Sequence, residues 1–77
     1  MIFTIPLVEV FKTSIANQEQ GECFMHQLLK QNPALRIDID LEDRDNILRI
    51  EYEGELDRQA ITEIATRLGI WIEVLES

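Results

Sequence analysis

Four short segments of the chain alternate apolar and polar residues. A period of two residues is typical of a strand with one buried face. The alternation is clearest in Leu35–Glu42, where Leu and Ile are separated by Arg, Asp and Glu. The other three segments are shorter and are bounded by residues common in turns. The predicted strands are Val8–Thr13, Leu35–Glu42, Ile47–Glu53 and Ile70–Leu75.

Two segments between these strands have the period of an amphipathic helix. We expect the first helix to begin after Asn17, a good N-cap, with Gln20 three residues later as in a capping box. It should end at the Asn-Pro pair at positions 32–33. The second should begin after Asp57 and end before Gly69, a residue suited to the C′ position. The predicted apolar stripes are Gly21, Phe24, Met25 and Leu28, then Ala60, Ile61, Ile64, Ala65 and Leu68.

The resulting order of elements predicts an α+β fold, the ferredoxin-like βαββαβ two-layer sandwich. Its first and third strands are central, flanked by the fourth and second, and both helices cover one face of the antiparallel sheet. With 77 residues, of which 45% are hydrophobic, we expect a single domain spanning residues 1–77. Met1–Ile5 is left over, and could form an extra edge segment or lengthen the first strand through a kink at Pro6.

The chain resembles the heavy-metal-associated domain, the small fold of copper chaperones and metal-pump N-terminal domains. The closest match is Leu56–Gly69 followed by Ile70-Trp71-Ile72-Glu73, which parallels the second helix, glycine and last strand of that family. The resemblance implies that Ile15, Phe24 and Leu28 fill core positions and that Asn17 and Gln20 occupy the positions of the two Cys ligands. Amides are poor ligands for Cu(I) and Zn(II), so we expect this chain to lack the metal site.

Composition narrows the possible partners. The 15 acidic residues outnumber the 7 Lys and Arg and give a net charge of −8. This charge argues against binding to nucleic acid or to anionic membranes. A single cysteine excludes an intrachain disulfide, and the apolar start has no basic region typical of a signal peptide. We therefore expect a soluble, cytoplasmic protein whose partner is another protein or a second copy.

The candidates for chemistry are few. Cys23 and His26 lie three residues apart on the first helix, with Glu19 one turn earlier, and together could bind Zn(II) or Cu(II) at the surface. The alternative is a solvated helix face with an incidental thiol. No nucleophile has an evident base and third group beside it, and there is no Gly-rich phosphate loop. We expect no enzyme activity, no cofactor and no bound metal.

The face of the sheet without helices is the more informative surface. We expect the helices to cover Val10, Ile39, Ile50 and Ile72. Exposed aromatic side chains on the other face would be costly unless covered. A protein partner, for example a second copy, could cover them, and so could Met1–Ile5 or the C-terminus. The predicted interface residues are Phe11, Ile47, Arg49, Trp71 and Leu75.

Three functions are therefore considered. The leading hypothesis is a non-catalytic interaction module that self-associates or binds another protein. The alternative is a metal-binding or metal-sensing domain with a displaced site at Cys23 and His26. A third is ligand sensing as in amino-acid-binding ACT domains, which share the order of elements but have a glycine-containing loop after the first strand that this chain lacks.

Overall fold

A computed structural model of the chain describes residues 7–42 and 44–75. Six elements follow in the predicted order, so the ferredoxin-like fold is confirmed. The predictions for Met1–Ile5 lie outside the described residues. The elements are β1 Leu7–Thr13, α1 Gln18–Gln31, β2 Arg36–Asp40, β3 Ile47–Tyr52, α2 Arg58–Arg67 and β4 Ile72–Val74.

The four strands form one antiparallel sheet in the order β2-β3-β1-β4. The central strands β1 and β3 are in register with Phe11 opposite Leu48, and β4 places Val74 opposite Phe11 on the other side. Phe11, Leu48 and Ile50 belong to the same buried cluster as Phe24 of α1. Both helices therefore lie on the face of the sheet that carries these side chains.

The core is built from residues of every element except β2 and β4, whose side chains pack at its margin. Three positions identified through the family resemblance are fully buried, since Ile15, Phe24 and Leu28 are at most 1% exposed. They lie just before α1 and along its inner stripe. The remaining buried members are Phe11, Leu35, Leu48, Ile50, Ile61, Ile64, Ala65 and Ile70.

In each of the two edge strands, β2 and β4, alternate residues point their backbone N–H and C=O groups away from the neighbouring strand. Leu75 N donates to Val10 O at 2.8 Å, so the backbone groups of Val10 face β4. Because backbone direction alternates along a strand, Ile72 and Val74 of β4 point their N–H and C=O away from the sheet. The same alternation, carried through the registers of β1, β3 and β2, makes Ile37 and Ile39 the outward-pointing residues of β2.

Helix α1 begins as predicted. The amide of Gln20 donates to Asn17 Oδ1 at 2.8 Å, and the Gln20 side-chain oxygen accepts from Ala16 N at 2.8 Å. The two side chains thus satisfy amides at the start of the helix, which have no partner within it. The helix ends at Gln31, and Asn32 N still donates to Leu28 O before Pro33 prevents continuation.

Replacing the cap should destabilise the protein measurably. We expect Asn17→Ala to lower the free energy of unfolding by about 0.5–2 kcal/mol, because Gln20 N loses its acceptor. Urea denaturation followed by circular dichroism would measure this loss. Asn17→Ser is the matched control and should retain most of the stability. An unchanged midpoint for Asn17→Ala would contradict this assignment of the helix start.

Helix α2 is tied to the sheet at its first turn. Asp57 Oδ1 accepts from Ala60 N at 3.0 Å, which confirms Asp57 as the N-cap. Arg58 forms two parallel hydrogen bonds with Glu9 of β1. Its Nε donates to Glu9 Oε1 and a terminal guanidinium nitrogen donates to Glu9 Oε2, each at 3.1 Å. This hydrogen-bonded, oppositely charged partner raises the pKa of Arg58 above its ordinary value. Gly69 ends α2 with φ +73°, as expected for a C′ glycine.

A polar network joins the loop after β1 to the turn before β3. Asn46 Nδ2 donates to Ile15 O at 2.9 Å, and Thr13 Oγ1 donates to Asn46 O at 2.6 Å. The Thr13 hydroxyl also accepts from Ile15 N at 3.2 Å. Asn46 has φ +48°, in the left-handed region that Asn tolerates better than most residues. These three residues, called the Asn46 network below, satisfy polar groups at the margin of the core.

Candidate interaction surface

Three exposed apolar side chains lie in or beside β4, an edge strand of the sheet. Within the described ranges, the large hydrophobic residues that are exposed all belong to β1, to β4 or to the residues that flank β4. Trp71 and Val8 are each 55% exposed. This arrangement contrasts with the opposite edge, where β2 carries Arg36, Asp38 and Asp40. Leu7 and Val8 lie at the start of the central strand β1, opposite Tyr52 and Glu51 of β3. The other three lie in or beside the edge strand β4. We call these three the β4 edge patch; its members are Trp71, Val74 and Leu75.

Trp71 has a fixed backbone and an available side chain. Its N–H donates to Ser14 Oγ at 2.7 Å, and its carbonyl accepts from Ser14 N at 2.9 Å. These bonds hold Trp71 beside Ser14 just before β4, which begins at Ile72 rather than at the predicted Ile70. Trp71 lines a hollow with Thr62 and Thr66 of α2. A rigid backbone with an exposed aromatic ring is the arrangement found at many interface anchors.

The prediction that Phe11 lies on the uncovered face is wrong. Phe11 is 2% exposed and belongs to the helix-covered core. The face of β1 that carries it also carries Glu9 and Thr13, whose polarity made this face resemble a solvated one. Glu9 is neutralised by Arg58, and the Thr13 hydroxyl donates to Asn46 O. A covered face tolerates polar residues when each finds a partner.

The prediction that the helices cover Val10 is consequently wrong as well. It is half-buried, and its neighbour across the ladder is Arg49, whose side chain is exposed. The other three expected members of the covered face, Ile39, Ile50 and Ile72, do pack in or against the core. Among these four residues, the wrong assignment of faces is therefore confined to β1. On that strand, both the odd-numbered and the even-numbered residues include apolar side chains.

The remaining predicted interface residues occupy different environments. Ile47 is 3% exposed, so little of its side chain is available to a partner. Arg49 is exposed, and one of its terminal nitrogens lies 3.6 Å from Asp38 Oδ2. Leu75 is exposed and belongs to the β4 edge patch. The contact role of Ile47, Arg49, Trp71 and Leu75 stays a prediction.

The alternative metal site was expected on the outer face of α1. Cys23 and His26 are both exposed, as is Glu19. Across residues 7–42 and 44–75, no group of three or more His, Cys, Asp or Glu side chains is placed to hold a metal ion. Asn17 and Gln20, which the resemblance implied to occupy ligand positions, instead cap the helix.

The described part of the chain also contains no helix with the length and apolarity needed to cross a membrane. Surface hollows there are open, and one of about 630 Å³ lies beside Tyr52 at the end of β3. Its polar walls include Arg36, Glu51 and Glu53. This is not the enclosed apolar pocket with a few convergent polar groups that small-molecule sites usually have.

Comparison with known proteins supports the fold. No family model and no curated protein sequence matches the chain. Among solved structures, the chain is similar to the yeast copper transporter domain CCC2A, determined in solution in its apo and Cu(I)-loaded states. The two share 20% identity over 90% of this chain and 94% of that one, with a TM-score of 0.73. At this identity the likeness shows that the chain has the same ferredoxin-like fold as that domain.

Proposed function

We propose that the protein is a non-catalytic interaction module that self-associates through the β4 edge patch. The observation that carries the proposal is the clustering of exposed Trp71, Val74 and Leu75 at a sheet edge. Burying an aromatic and two aliphatic side chains contributes a few kcal/mol, on the order of 25 cal/mol per Å² of apolar area. A complex in which a partner covers these side chains is therefore stabilised by the removal of their apolar area from water.

The backbone of β4 supports the same surface. Ile72 and Val74 point N–H and C=O groups outward, and an unpaired strand edge is a template for a further strand. A second copy presents the same groups, so a two-fold arrangement of two β4 strands is self-complementary. The exposed thiol of Cys23 is compatible with the reducing cytoplasm that we propose as its location.

Charge argues against a nucleic-acid partner and sets a salt dependence for self-association. A net charge of −8 repels nucleic acid and a second copy alike. Salt screens this repulsion, since the Debye length is about 8 Å at physiological ionic strength. We expect the fraction of dimer at fixed protein concentration to rise between low and moderate salt. Sedimentation velocity at several NaCl concentrations would measure it, and a dimer fraction that falls with salt would show attraction between charges instead.

Substitution of Trp71 tests the proposal. We expect Trp71→Arg to give a monomer that keeps its circular dichroism, since the indole is 55% exposed and lies outside the core cluster. Sedimentation equilibrium would measure the mass. In the wild type, Trp71 fluorescence should shift to the red on dilution as the dimer dissociates. The control is Gln59→Arg, the same charge change at an exposed position of α2. A monomeric wild type, or an unfolded Trp71→Arg, would contradict the proposal.

Metal binding is the second candidate, and the likeness to a copper transporter domain favours it. The capping role of Asn17 and Gln20 weighs against it at the family position. We expect titration with Zn(II) or Cu(I) under reducing conditions to show no one-to-one complex. A sub-micromolar complex that Cys23→Ser abolishes would favour metal binding over the interaction module.

A further inference from the structure

A groove lies at the other edge of the sheet, between α1 and β2, with a volume of about 310 Å³. Gly21 brings the helix close to the strand there: a Cβ at this position would lie 3.3 Å from Ile39 Cδ1. The absence of a side chain at Gly21 thus allows α1 to pack closely against Ile39, which forms one wall of the groove. Met25 is only half-buried and its flexible thioether can adjust to different occupants. The apolar walls are Gly21, Met25, Ile39 and Leu41.

The backbone beside this groove is available for pairing. Ile37 and Ile39 direct their N–H and C=O groups away from β3, as the sheet register requires. No hydrogen bond joins these outward groups to another residue of the described ranges. An extended segment laid along β2 can therefore form main-chain hydrogen bonds with two residues and place alternate side chains in the groove.

The charges around the groove select the occupant. Glu22 and Asp38 line it, and no Lys or Arg does. Asp38 keeps a side chain that is 76% exposed even though Arg49 lies 3.6 Å away. Glu42 follows Leu41 and is exposed as well. These carboxylates disfavour an acidic segment and attract a basic one, especially at low ionic strength.

We propose that the groove between α1 and β2 binds an extended segment of another protein that alternates Lys or Arg with aliphatic residues. The aliphatic side chains lie against Met25, Ile39 and Leu41, and the basic ones face Asp38 and its neighbours. The segment adds a fifth strand beside β2. This surface is separate from the β4 edge patch, at the opposite end of the strand order, and does not depend on self-association.

A peptide of about seven residues that alternates Lys with Val and Leu is a suitable probe, since it spans the five residues of β2. Titration followed by amide NMR should shift Gly21, Met25, Ile37 and Ile39 most. Fluorescence anisotropy should give an affinity that falls as NaCl increases. A peptide with Glu in place of Lys should bind at least about tenfold more weakly. Equal binding of the two peptides, or shifts centred on β4, would overturn the proposal.

Two variants locate the site. Ile37→Pro removes an outward N–H that β3 does not use, so it should weaken binding by about tenfold while the fold persists. Val74→Pro makes the same change at the other edge and should leave peptide affinity unchanged. Met25→Lys, which places a cation in the groove, should weaken binding to a similar degree. Unchanged affinity in both Ile37→Pro and Met25→Lys would overturn the proposal, as would a loss of self-association caused by Ile37→Pro, which would make a second copy the occupant.

Discussion

Phe11→Ala should lower the free energy of unfolding by about 3–5 kcal/mol, the range for deleting a fully buried aromatic ring. Phe11 is 2% exposed and packs with Leu48 and Ile50 in the core cluster. Since small domains are stable by only about 5–15 kcal/mol, this is a large share of the total. Urea denaturation monitored by Trp71 fluorescence and by circular dichroism would measure the loss.

Two control substitutions test whether the large loss of stability is confined to the buried face of β1. Val10→Ala, on the face without helices, should cost about 1 kcal/mol because the residue is only half-buried. Trp71→Ala should cost about 1 kcal/mol or less in the monomer, since the ring is mostly exposed. If Phe11→Ala were as mild as Val10→Ala, the assignment of Phe11 to the core would be contradicted.

The Asn46 network gives the second large expected effect. Asn46→Ala should lower stability by about 2–5 kcal/mol through two separable causes. The carbonyl of Ile15 loses the donor that lies 2.9 Å away, which costs about 1–3 kcal/mol. Alanine must also adopt the left-handed conformation at φ +48°, which costs about a further 1–2 kcal/mol. Thermal and urea unfolding would measure the sum.

Two further variants divide this cost. Asn46→Gly removes the amide but accepts the left-handed backbone, so it should recover the conformational part of the loss. Asn46→Asp keeps a residue that tolerates this conformation but cannot donate to Ile15 O when ionised, so it should retain most of the hydrogen-bond loss. Equal stability of the Ala and Gly variants would show that backbone strain at this turn contributes nothing.

Local signals in the sequence predicted much of the fold. Asn17 and Asp57 cap the helices because their side chains accept from amides three residues later, a relation that needs only local sequence. Gly69 ends α2 for a similarly local reason. The apolar spacing of Phe24 and Leu28 in α1 gave the buried stripe. These features depend on neighbours within one or two turns of chain.

The face of β1 could not be predicted in this way. Its two alternating sets, one with Val8 and Val10 and one with Phe11, are both partly apolar. Phe11 packs in the apolar core, and the polar members of its face have long-range partners there, Arg58 for Glu9 and Asn46 for Thr13. No local periodicity reports such partners.

The interaction surfaces were predictable only in part. The exposure of Trp71 and Leu75 was expected, but Val74, which is also exposed, was not among the predicted interface residues. The bond between Trp71 N and Ser14 Oγ joins residues far apart in the chain. The groove beside Ile39 depends on how closely α1 approaches β2 at Gly21, a distance that only tertiary packing sets.

The central claim, that two copies meet at the β4 edge patch, is tested most directly by an isotope-filtered NOE experiment on an equal mixture of labelled and unlabelled protein. The account predicts intermolecular contacts between the Trp71 indole of one copy and the methyl groups of Val74 and Leu75 of the other. These contacts should be absent from Trp71→Arg. Intermolecular contacts that involve Ile37 or Ile39 of β2 instead, or none at concentrations where the mass is that of a dimer, would contradict it.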